Sequence, residues 1–274
     1  MIRLIATDLD GTLLNPSADL TSRTLRALRA AMAVGCGVAL SSGRMLEATM
    51  PYARQIGVNA PMLLYNGAMI YDPAAAKALL AQRIPWETAL RIVELAELSG
   101  YYIQLYPCEC YYCSEIVEHT RAYARSVRVE PISAHMPMAE WLRRNPAGMQ
   151  KLLVIDTPEG ADRAQALLSE AFSGEVCLLK SRPHFLEITP AGVDKGRALG
   201  WLAEYLGLQR DEVMAFGDGE NDMPMLETAG EGYAMANACA QALACAPHTA
   251  PSNAEDGVAQ VIEQALREGR FGAL

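Results

Sequence analysis

Two carboxylates stand two residues apart directly after the first apolar segment of the chain. Residues 2–7 are mostly apolar and are typical of a short buried strand that ends at Asp8. The side chains of Asp8 and Asp10 are expected on the same side of the backbone, because side chains of an extended chain alternate with a period of two. Carboxylates this close repel each other, and a neighbouring cation relieves the repulsion. The pair therefore indicates acid–base or metal-assisted chemistry, although Asp-Gly also occurs in ordinary turns.

A second acidic loop follows an apolar segment near the other end of the chain. Asp218 lies in this loop, at residues 217–222, together with two glycines and two further carboxylates. The parallel strands of an α/β sheet place their carboxyl ends at one edge, so the carboxylates of both loops are expected to meet there. Asp8, the backbone carbonyl of Asp10 and Asp218 then form a set of oxygen ligands suited to Mg²⁺. Taken alone, the loop is also compatible with a simple helix cap.

Two further segments could contact an anion at the same edge. Ser42 and Gly43 connect a predicted strand to a helix, and hydroxyl and backbone N–H groups at a helix start can bind phosphate. Lys195 begins another predicted helix, where its charge opposes the helix dipole and is better explained by nearby carboxylates and a phosphate. By itself, each segment is more typical of a helix cap or of a solvated lysine.

Taken together and in this order, the four segments resemble the motifs of the haloacid dehalogenase superfamily of aspartate-nucleophile phosphatases. The sequence DLDGTLL at residues 8–14 matches the first motif, and GDGENDM at residues 217–223 matches the fourth. The sequence SGR at residues 42–44 matches the second, with serine where threonine is commoner, and KG at residues 195–196 matches the third. The chain is similar to the Cof-type subgroup, in which a large cap domain is inserted between the second and third motifs.

This resemblance implies a two-step mechanism. Asp8 would attack phosphorus and form an aspartyl-phosphate, which divides a difficult hydrolysis into two displacements. Asp10 would protonate the leaving oxygen and then deprotonate the attacking water. The resemblance also implies that Mg²⁺ is bound by Asp8, Asp10 and Asp218, and that Asp222 orients metal-bound water or the neighbouring lysine. The phosphate-binding groups that it implies are Leu9, Ser42, Gly43, Lys195 and Asn221.

The order of predicted elements divides the chain into two parts. Strands and helices alternate in residues 1–83 and 189–274, which predicts a Rossmann-like α/β core with a mainly parallel sheet. Residues 84–188 combine adjacent strands with helices and are predicted to form an inserted α+β domain with a partly antiparallel sheet. The resemblance implies that this insert is a cap that closes over the core and selects the substrate.

The composition argues against several classes of partner. The formal net charge of −9 disfavours nucleic acid and anionic membrane surfaces, which attract basic proteins. No apolar run approaches the roughly 18 residues of a membrane-spanning helix. Seven scattered cysteines, together with a start that lacks the pattern of a signal peptide, favour the reducing cytoplasm. The partner that the family resemblance implies is a small phosphorylated metabolite.

Three cysteines stand close together in the predicted insert. The spacing of Cys108, Cys110 and Cys113 resembles part of a zinc motif. A structural zinc site normally needs a second pair of ligands, and none follows at a suitable spacing. The segment lies between two strand-like runs, so a hairpin turn is the expected structure.

Two alternative functions remain open at this point. A phosphomutase of the same superfamily would also use Asp8 and Asp10, but it would return the phosphate to a bound sugar. A receiver-like signalling domain would be phosphorylated on aspartate as a switch, although such domains lack a large insert and have no use for a second acid. The motifs are expected to contact only phosphate and metal, so they do not identify the substrate. Sugar phosphates are the leading expectation, ahead of pyridoxal phosphate and flavin mononucleotide. No motif specifies an oligomeric state.

Overall fold

The chain separates into two compact units in the computed structural model, which describes residues 1–274. The insert predicted at residues 84–188 falls within the second unit, which also includes a short segment near the start of the chain. We call the first unit the core unit, and it comprises Met1–Gly43, Thr49–Leu80 and Asp194–Leu274. We call the second the inserted unit, and it comprises Arg44–Ala48 and Ala81–Val193.

Fourteen strands form three sheets. In chain order they are β1 (Leu4–Thr7), β2 (Gly37–Leu40), β3 (Met62–Leu64), β4 (Met69–Asp72), β5 (Lys77–Ala81), β6 (Ile103–Tyr106), β7 (Tyr112–Cys113), β8 (Ile132–Ser133), β9 (Lys151–Ile155), β10 (Val176–Arg182), β11 (Phe185–Pro190), β12 (Val213–Gly217), β13 (Glu231–Met235) and β14 (His248–Ala250).

Ten α-helices connect or cover the strands. None of them combines the length and the apolar character that a membrane span requires. Two begin with a hydroxyl cap: Thr21 accepts a hydrogen bond from the backbone of Thr24, and Thr157 accepts one from Gly160. The helices are α1 (Ser22–Ala33), α2 (Leu46–Ile56), α3 (Trp86–Leu98), α4 (Glu118–Val127), α5 (Met138–Arg144), α6 (Pro158–Ala171), α7 (Lys195–Tyr205), α8 (Met223–Thr228), α9 (Ala240–Cys245) and α10 (Gly257–Arg267).

A five-stranded parallel sheet forms the centre of the core unit, in the order β14-β13-β12-β1-β2. β1 lies between β12 and β2, with Thr7 opposite both Phe216 and Leu40. The residues that follow these three strands therefore emerge together at the carboxyl edge of the sheet. The predicted α/β core with a mainly parallel sheet is confirmed, and its topology brings together segments that are far apart in sequence.

A small sheet in the order β3-β4-β5 follows β2 in the chain. Asn66-Gly67 between two apolar runs predicts a hairpin, and β3 and β4 form it: Leu64 pairs with Met69 across a turn at Tyr65–Gly67. β5 was not predicted from the sequence. Its residues are exposed or half-buried, and they lack the alternation of apolar and polar side chains that marks a strand with one buried face.

The inserted unit is built on a six-stranded sheet in the order β10-β11-β9-β6-β7-β8. Neighbouring strands are antiparallel except for β7 and β8, which are parallel. On one face, Leu105 and Leu152 pack in a buried cluster with Ile92, Leu142 and Leu168, which belong to α3, α5 and α6. This confirms the predicted combination of helices with a partly antiparallel sheet.

The sequence of residues 114–125 predicts a helix, but α4 begins later, at Glu118. The backbone carbonyl of Ser114 accepts hydrogen bonds from the backbone N–H of His135 at 3.0 Å and from the hydroxyl of Ser133 at 3.1 Å. These contacts hold residue 114 beside β8. Hydrogen bonds between distant segments therefore prevail over local helix propensity at this point.

A buried ion pair lies on the other face of the inserted sheet. Lys151 of β9 and Glu187 of β11 are 1% and 5% exposed, and Nζ lies 3.1 Å from Oε2. The ammonium group also lies 4.8 Å from the centre of the Tyr106 ring, and the hydroxyl of Ser181 donates to Glu187. Two charges are tolerated in an interior only when each compensates the other, so the two residues depend on each other.

We expect Lys151→Met to lower the free energy of unfolding by about 3–5 kcal/mol, because it leaves the carboxylate of Glu187 buried without its cation. The double variant Lys151→Met/Glu187→Met should recover much of that loss, since no unpaired charge remains. Arg143→Met is the control: it breaks a solvent-exposed pair with Glu94 and should cost at most about 1 kcal/mol. Urea denaturation followed by circular dichroism measures all three. Equal losses for Lys151→Met and Arg143→Met would show that burial does not make the pair essential.

Candidate active site

Asp8 follows β1 directly and lies at the carboxyl edge of the core sheet. Its backbone N–H donates to the carbonyl of Phe216 in β12 at 3.0 Å, and its side chain is almost fully buried. Leu9–Leu13 then form a single wide turn. Asp10 lies in this turn with a non-helical backbone (φ −81°, ψ 113°) and is partly exposed. The two carboxylates singled out from the sequence therefore differ in burial, although they come from one short segment.

Gly11 allows the second acidic loop to approach this turn closely. It has φ +85°, and a Cβ atom placed on it would lie only 2.2 Å from Oδ2 of Asp218. A larger residue would be strained by the left-handed backbone and would displace the carboxylate. The neighbouring hydroxyl of Thr12 donates to Oδ1 of Asp218 at 2.8 Å. The turn after β1 and the loop after β12 are thus in direct contact.

The side chain of Lys195 lies fully buried between the two acidic segments. Its Nζ donates to Oδ1 of Asp8 at 2.6 Å, to Oδ1 of Asp222 at 2.6 Å and to the backbone carbonyl of Ser41 at 3.1 Å. These three acceptors satisfy the three N–H groups of the ammonium. The sequence left open a solvated lysine at this helix start, and the structure excludes that interpretation.

Lys195 reaches this position because α7 and α8 approach each other closely. The helix starts at a capped residue: the carboxylate of Asp194 accepts a hydrogen bond from the backbone N–H of Arg197 at 2.7 Å. Gly196 directly follows Lys195 in α7, and a Cβ atom placed on it would lie 2.4 Å from the backbone carbonyl of Pro224 in α8. Only glycine permits this approach, which holds the first turn of α7 beside the loop that carries Asp222.

Asp222 connects Lys195 to the loop after β12. One of its oxygens accepts the hydrogen bond from Lys195, and the other accepts from the backbone N–H groups of Asp218 at 3.0 Å and Gly219 at 2.9 Å. Both oxygens are therefore engaged by the protein itself. Of the two tasks inferred for Asp222 from the family resemblance, orientation of the lysine corresponds to a contact that is present.

The buried carboxylates of Asp8 and Asp222 and the partly buried carboxylate of Asp218 surround a single ammonium group. Oxygens of Asp8, Asp218 and Asp222 lie within 4.8 Å of one another. Burial raises the pKa of Asp8 well above its usual range; Lys195 opposes this shift, and the two neighbouring carboxylates add to it. Burial and the charge of Asp222 raise the pKa of Asp218 to about 7. Burial by itself lowers the pKa of Lys195, but Asp222 and Asp8 outweigh that effect and raise it.

This set of donors fits a divalent cation. One ammonium group leaves two of the three carboxylate charges uncompensated, and this excess contributes to the raised pKa values of Asp8 and Asp218. Carboxylate oxygens are the ligands that Mg²⁺ prefers. Because both oxygens of Asp222 already accept hydrogen bonds, Asp8 and Asp218 are the side chains best placed to hold an ion. The side chain of Asp10 lies outside this carboxylate group.

The predicted phosphate-binding residues are linked through a residue to which the sequence assigned no role. Ser42 is buried, and its carbonyl accepts a hydrogen bond from the backbone N–H of Asn66 at 3.0 Å. The side-chain amide of Asn221 donates to Oδ1 of Asn66 at 3.0 Å. Asn66 thus joins the segment after β2 to the loop after β12. In the sequence, Asn-Gly after a strand predicts a turn, and NGA at residues 66–68 is similar to a feature of the haloacid dehalogenase superfamily, but neither observation indicates this contact.

The three cysteines of the inserted unit do not assemble into a metal site. Cys108 and Cys110 lie in the loop between β6 and β7, with their sulfur atoms 3.3 Å apart. Cys113 is buried in β7, and its thiol donates to the carbonyl of Ile132 at 3.9 Å. The only group of three or more potential ligands in the chain is that of the aspartates in the core unit.

Comparison with known proteins places the whole chain in one family. The sequence pattern of the family described as haloacid dehalogenase-like hydrolase matches residues 5–262. The chain is 32% identical over 244 residues to the HMP-PP phosphatase of Serratia proteamaculans, across 88% of this chain and 86% of that protein. It is 26% identical over 271 residues to a 5-amino-6-(5-phospho-D-ribitylamino)uracil phosphatase of Bacillus subtilis. That match covers 95% of this chain and 96% of the Bacillus protein.

A solved structure of a Thermotoga maritima protein shares the fold. The TM-score is 0.82 at 34% sequence identity, and the match covers 96% of this chain and 97% of the other. The resemblance noted from the four motifs is thereby confirmed over nearly the full length, with Asp8, Lys195 and Asp218 gathered at one edge of the core sheet. The chain belongs to the haloacid dehalogenase-like hydrolase family.

Proposed function

We propose that the protein is a Mg²⁺-dependent phosphatase that hydrolyses small phosphate monoesters, with Asp8 as its nucleophile. The observation that carries this proposal is the ammonium group of Lys195, which lies 2.6 Å from Oδ1 of Asp8. Burial alone favours the protonated carboxyl group, whereas a cation at this distance favours the ionised and nucleophilic form. Membership of a hydrolase family supports the proposal, and both relatives described above are named phosphatases.

In the first step, the carboxylate of Asp8 attacks the phosphorus atom of the substrate. A bond forms between the Asp8 oxygen and phosphorus, and the bond between phosphorus and the ester oxygen breaks. The departing oxygen takes the proton of the Asp10 carboxyl group and leaves as an alcohol. Asp10 is suited to this task because it is partly exposed and follows Asp8 by two residues.

In the second step, the carboxylate of Asp10 takes a proton from a water molecule, and the water oxygen attacks phosphorus. The bond between phosphorus and the Asp8 oxygen breaks, which releases inorganic phosphate and restores the carboxylate of Asp8. Asp10 retains the proton and is ready to act as an acid again. Lys195 stays bound to the carboxylate and favours its release as an anion.

Mg²⁺, when bound, would neutralise charge on the phosphoryl oxygens as the phosphate is transferred. Asp8 and Asp218 would hold it, with the backbone carbonyl of Asp10. The chain supplies further donors to the same oxygens from both acidic loops and from the segment after β2. We assign this role to the backbone N–H groups of Leu9 and Gly43, the hydroxyl of Ser42 and the amide of Asn221. Lys195, oriented by Asp222, would attract the phosphoryl oxygens through its positive charge, because its three N–H groups already donate to Asp8, Asp222 and Ser41.

We propose sugar phosphates as the substrates. The Bacillus subtilis relative is named for a substrate with a 5-phospho-D-ribityl group, which is a phosphorylated polyhydroxy chain. The donors assigned above serve only the phosphate, which every phosphate ester shares. Groups that recognise the alcohol must then come from elsewhere, and we assign them to the inserted unit acting as a cap. Binding energy from this part of a substrate can also help to align the phosphate.

Asp8→Asn should lower turnover of para-nitrophenyl phosphate by at least about 10³-fold, because an amide oxygen cannot form the acyl phosphate. Asp211→Asn is the control, since Asp211 is exposed and makes no contact with the site residues. Release of inorganic phosphate measures turnover. Acid quenching of the wild type during turnover should also trap protein-bound phosphate that hydroxylamine releases. Near-normal turnover by Asp8→Asn would refute the role of Asp8.

Removal of divalent metal should make the stability of the protein depend on pH. In the unfolded chain Asp218 titrates near about 4, whereas in the folded, metal-free protein its pKa is about 7. The folded protein therefore holds more protons between these values, and its stability falls as the pH rises from about 4 to about 7. Mg²⁺ favours the ionised carboxylates, so it should raise Tm more at about pH 8 than at about pH 5.

Thermal denaturation with EDTA and with Mg²⁺ measures this effect without reference to turnover. Asp218→Asn removes the titrating group and should reduce both the pH dependence and the response to Mg²⁺. The Asp211→Asn variant should retain both. A Mg²⁺ effect of the same size at the two pH values, or no effect at either, would contradict a metal site at these carboxylates.

A panel of phosphate esters tests the proposed substrate class. We expect the highest kcat/KM for phosphorylated sugars or polyols, by about tenfold or more over para-nitrophenyl phosphate, because their hydroxyl groups give additional binding energy that aligns the phosphate. Pyridoxal phosphate and flavin mononucleotide complete the panel as flat aromatic alternatives. A preference for either of these would exclude sugar phosphates as the main substrates while leaving the phosphatase mechanism intact.

A further inference from the structure

The loop between β13 and α9 contacts both acidic segments of the core unit. The side-chain amide of Asn237 in this loop donates to the backbone carbonyl of Gly11 at 2.8 Å. Two residues later, the backbone N–H of Cys239 donates to the backbone carbonyl of Asp218 at 2.9 Å. One short loop thus holds the turn that carries Asp10 and the loop that carries Asp218. None of the catalytic roles assigned above includes it.

The amide group of Asn237 is itself held in a fixed orientation. Its Oδ1 accepts a hydrogen bond from the backbone N–H of Asn253 at 2.9 Å, so its nitrogen is directed to Gly11. The side chain of Asn253 in turn donates to the backbone carbonyl of Leu14 at 2.7 Å. The two asparagines therefore donate hydrogen bonds to the turn after β1 on both sides of Thr12, at Gly11 and at Leu14. Primary amides suit this task because each can donate and accept at once.

The carbonyl that Asn237 holds is next to Asp10 in the chain. Gly11 has φ +85°, and glycine imposes little resistance to rotation of the peptide groups on either side of it. The direction of the Asp10 side chain therefore depends on contacts that restrain the Gly11 peptide from outside the turn. The hydrogen bond between Thr12 and Asp218 supplies one such restraint, and the amide of Asn237 supplies another.

We propose that Asn237 is a positioning residue that directs Asp10 towards the departing oxygen of the substrate. This inference rests on the general-acid role proposed for Asp10. An exposed asparagine that only stabilised the fold would affect all substrates alike when replaced. A residue that aims the general acid affects mainly substrates whose leaving oxygen needs a proton. Alkyl phosphates need that proton, whereas para-nitrophenolate leaves readily without it.

The test compares two substrates in two variants of Asn237. Asn237→Ala removes both hydrogen bonds, and Asn237→Asp keeps the acceptor for Asn253 but loses the donor to Gly11. We expect each variant to lower kcat for an alkyl phosphate such as glycerol phosphate by about tenfold, and kcat for para-nitrophenyl phosphate by no more than about twofold. KM should change little, because Asn237 does not contact the substrate.

Gln241→Ala is the matched control. Gln241 is an exposed amide in α9 whose side chain donates to Glu220, so its loss should leave both substrates unaffected. Thermal denaturation checks that each variant is folded. If Asn237→Ala is too unstable to assay, Asn253→Ala can replace it, because it removes only the contact to Leu14. This variant should also lower kcat for the alkyl phosphate more than kcat for para-nitrophenyl phosphate, but by a smaller factor.

Asp10→Asn separates this inference from the function on which it rests. If Asp10→Asn loses far more turnover of the alkyl phosphate than of para-nitrophenyl phosphate, the acid role holds. Equal losses for both substrates in the Asn237 variants would then overturn the positioning role alone. If Asp10→Asn shows no difference between the two substrates, the acid role itself fails, and the inference fails with it.

Discussion

The buried ammonium group of Lys195 is the interaction on which the arrangement of the site depends. A lysine with no exposed surface is highly unfavourable unless carboxylates and carbonyls accept its hydrogen bonds. Its acceptors come from the ends of β1 and β2 and from the loop before α8, and Lys195 itself starts α7. Folding of the core unit therefore brings four segments to one point. The contact that compensates the buried charge also orients the carboxylate of Asp8.

A comparison with Lys151 shows why this charge belongs to a functional site. Both lysines are buried and both contact carboxylates, but Lys151 faces the single carboxylate of Glu187, and the two charges balance. Lys195 faces a crowd of three carboxylates, of which it compensates one. A balanced pair has no net charge, so it requires no additional ion and can remain buried in the inserted sheet. An unbalanced cluster at the carboxyl edge of a parallel sheet is prepared for an additional cation and for the chemistry of an anion beside it.

The remainder of the site consists of contacts that keep flexible segments in place. Gly11 lets the carboxylate of Asp218 approach, and Gly196 lets the backbone of Pro224 approach, within distances that a Cβ atom would prevent. Side-chain amides link the flexible segments: Asn66 connects the segment after β2 to the loop after β12, and Asn237 contacts the turn that contains Asp10. The glycines thus allow the segments of the site to lie close together, and the hydrogen bonds of the asparagines hold these segments in place.

The sequence by itself determined the chemistry, because that depends on residue types at short spacing after apolar runs. Asp8, Asp10 and Asp218 could be selected in this way, whereas Lys195 stood out only through the order of the four motifs. Alternation of strands with helices was sufficient to predict a parallel α/β core with an insert. The tertiary structure decided everything that depends on contacts between distant segments. It showed that Lys195 is buried, that Asp222 engages both of its oxygens within the protein, and that α4 starts late. It also revealed what Asn66 and Asn237 contact: both lie in short segments that are similar to family features, but a hydrogen bond between residues more than a hundred positions apart leaves no local pattern in the sequence.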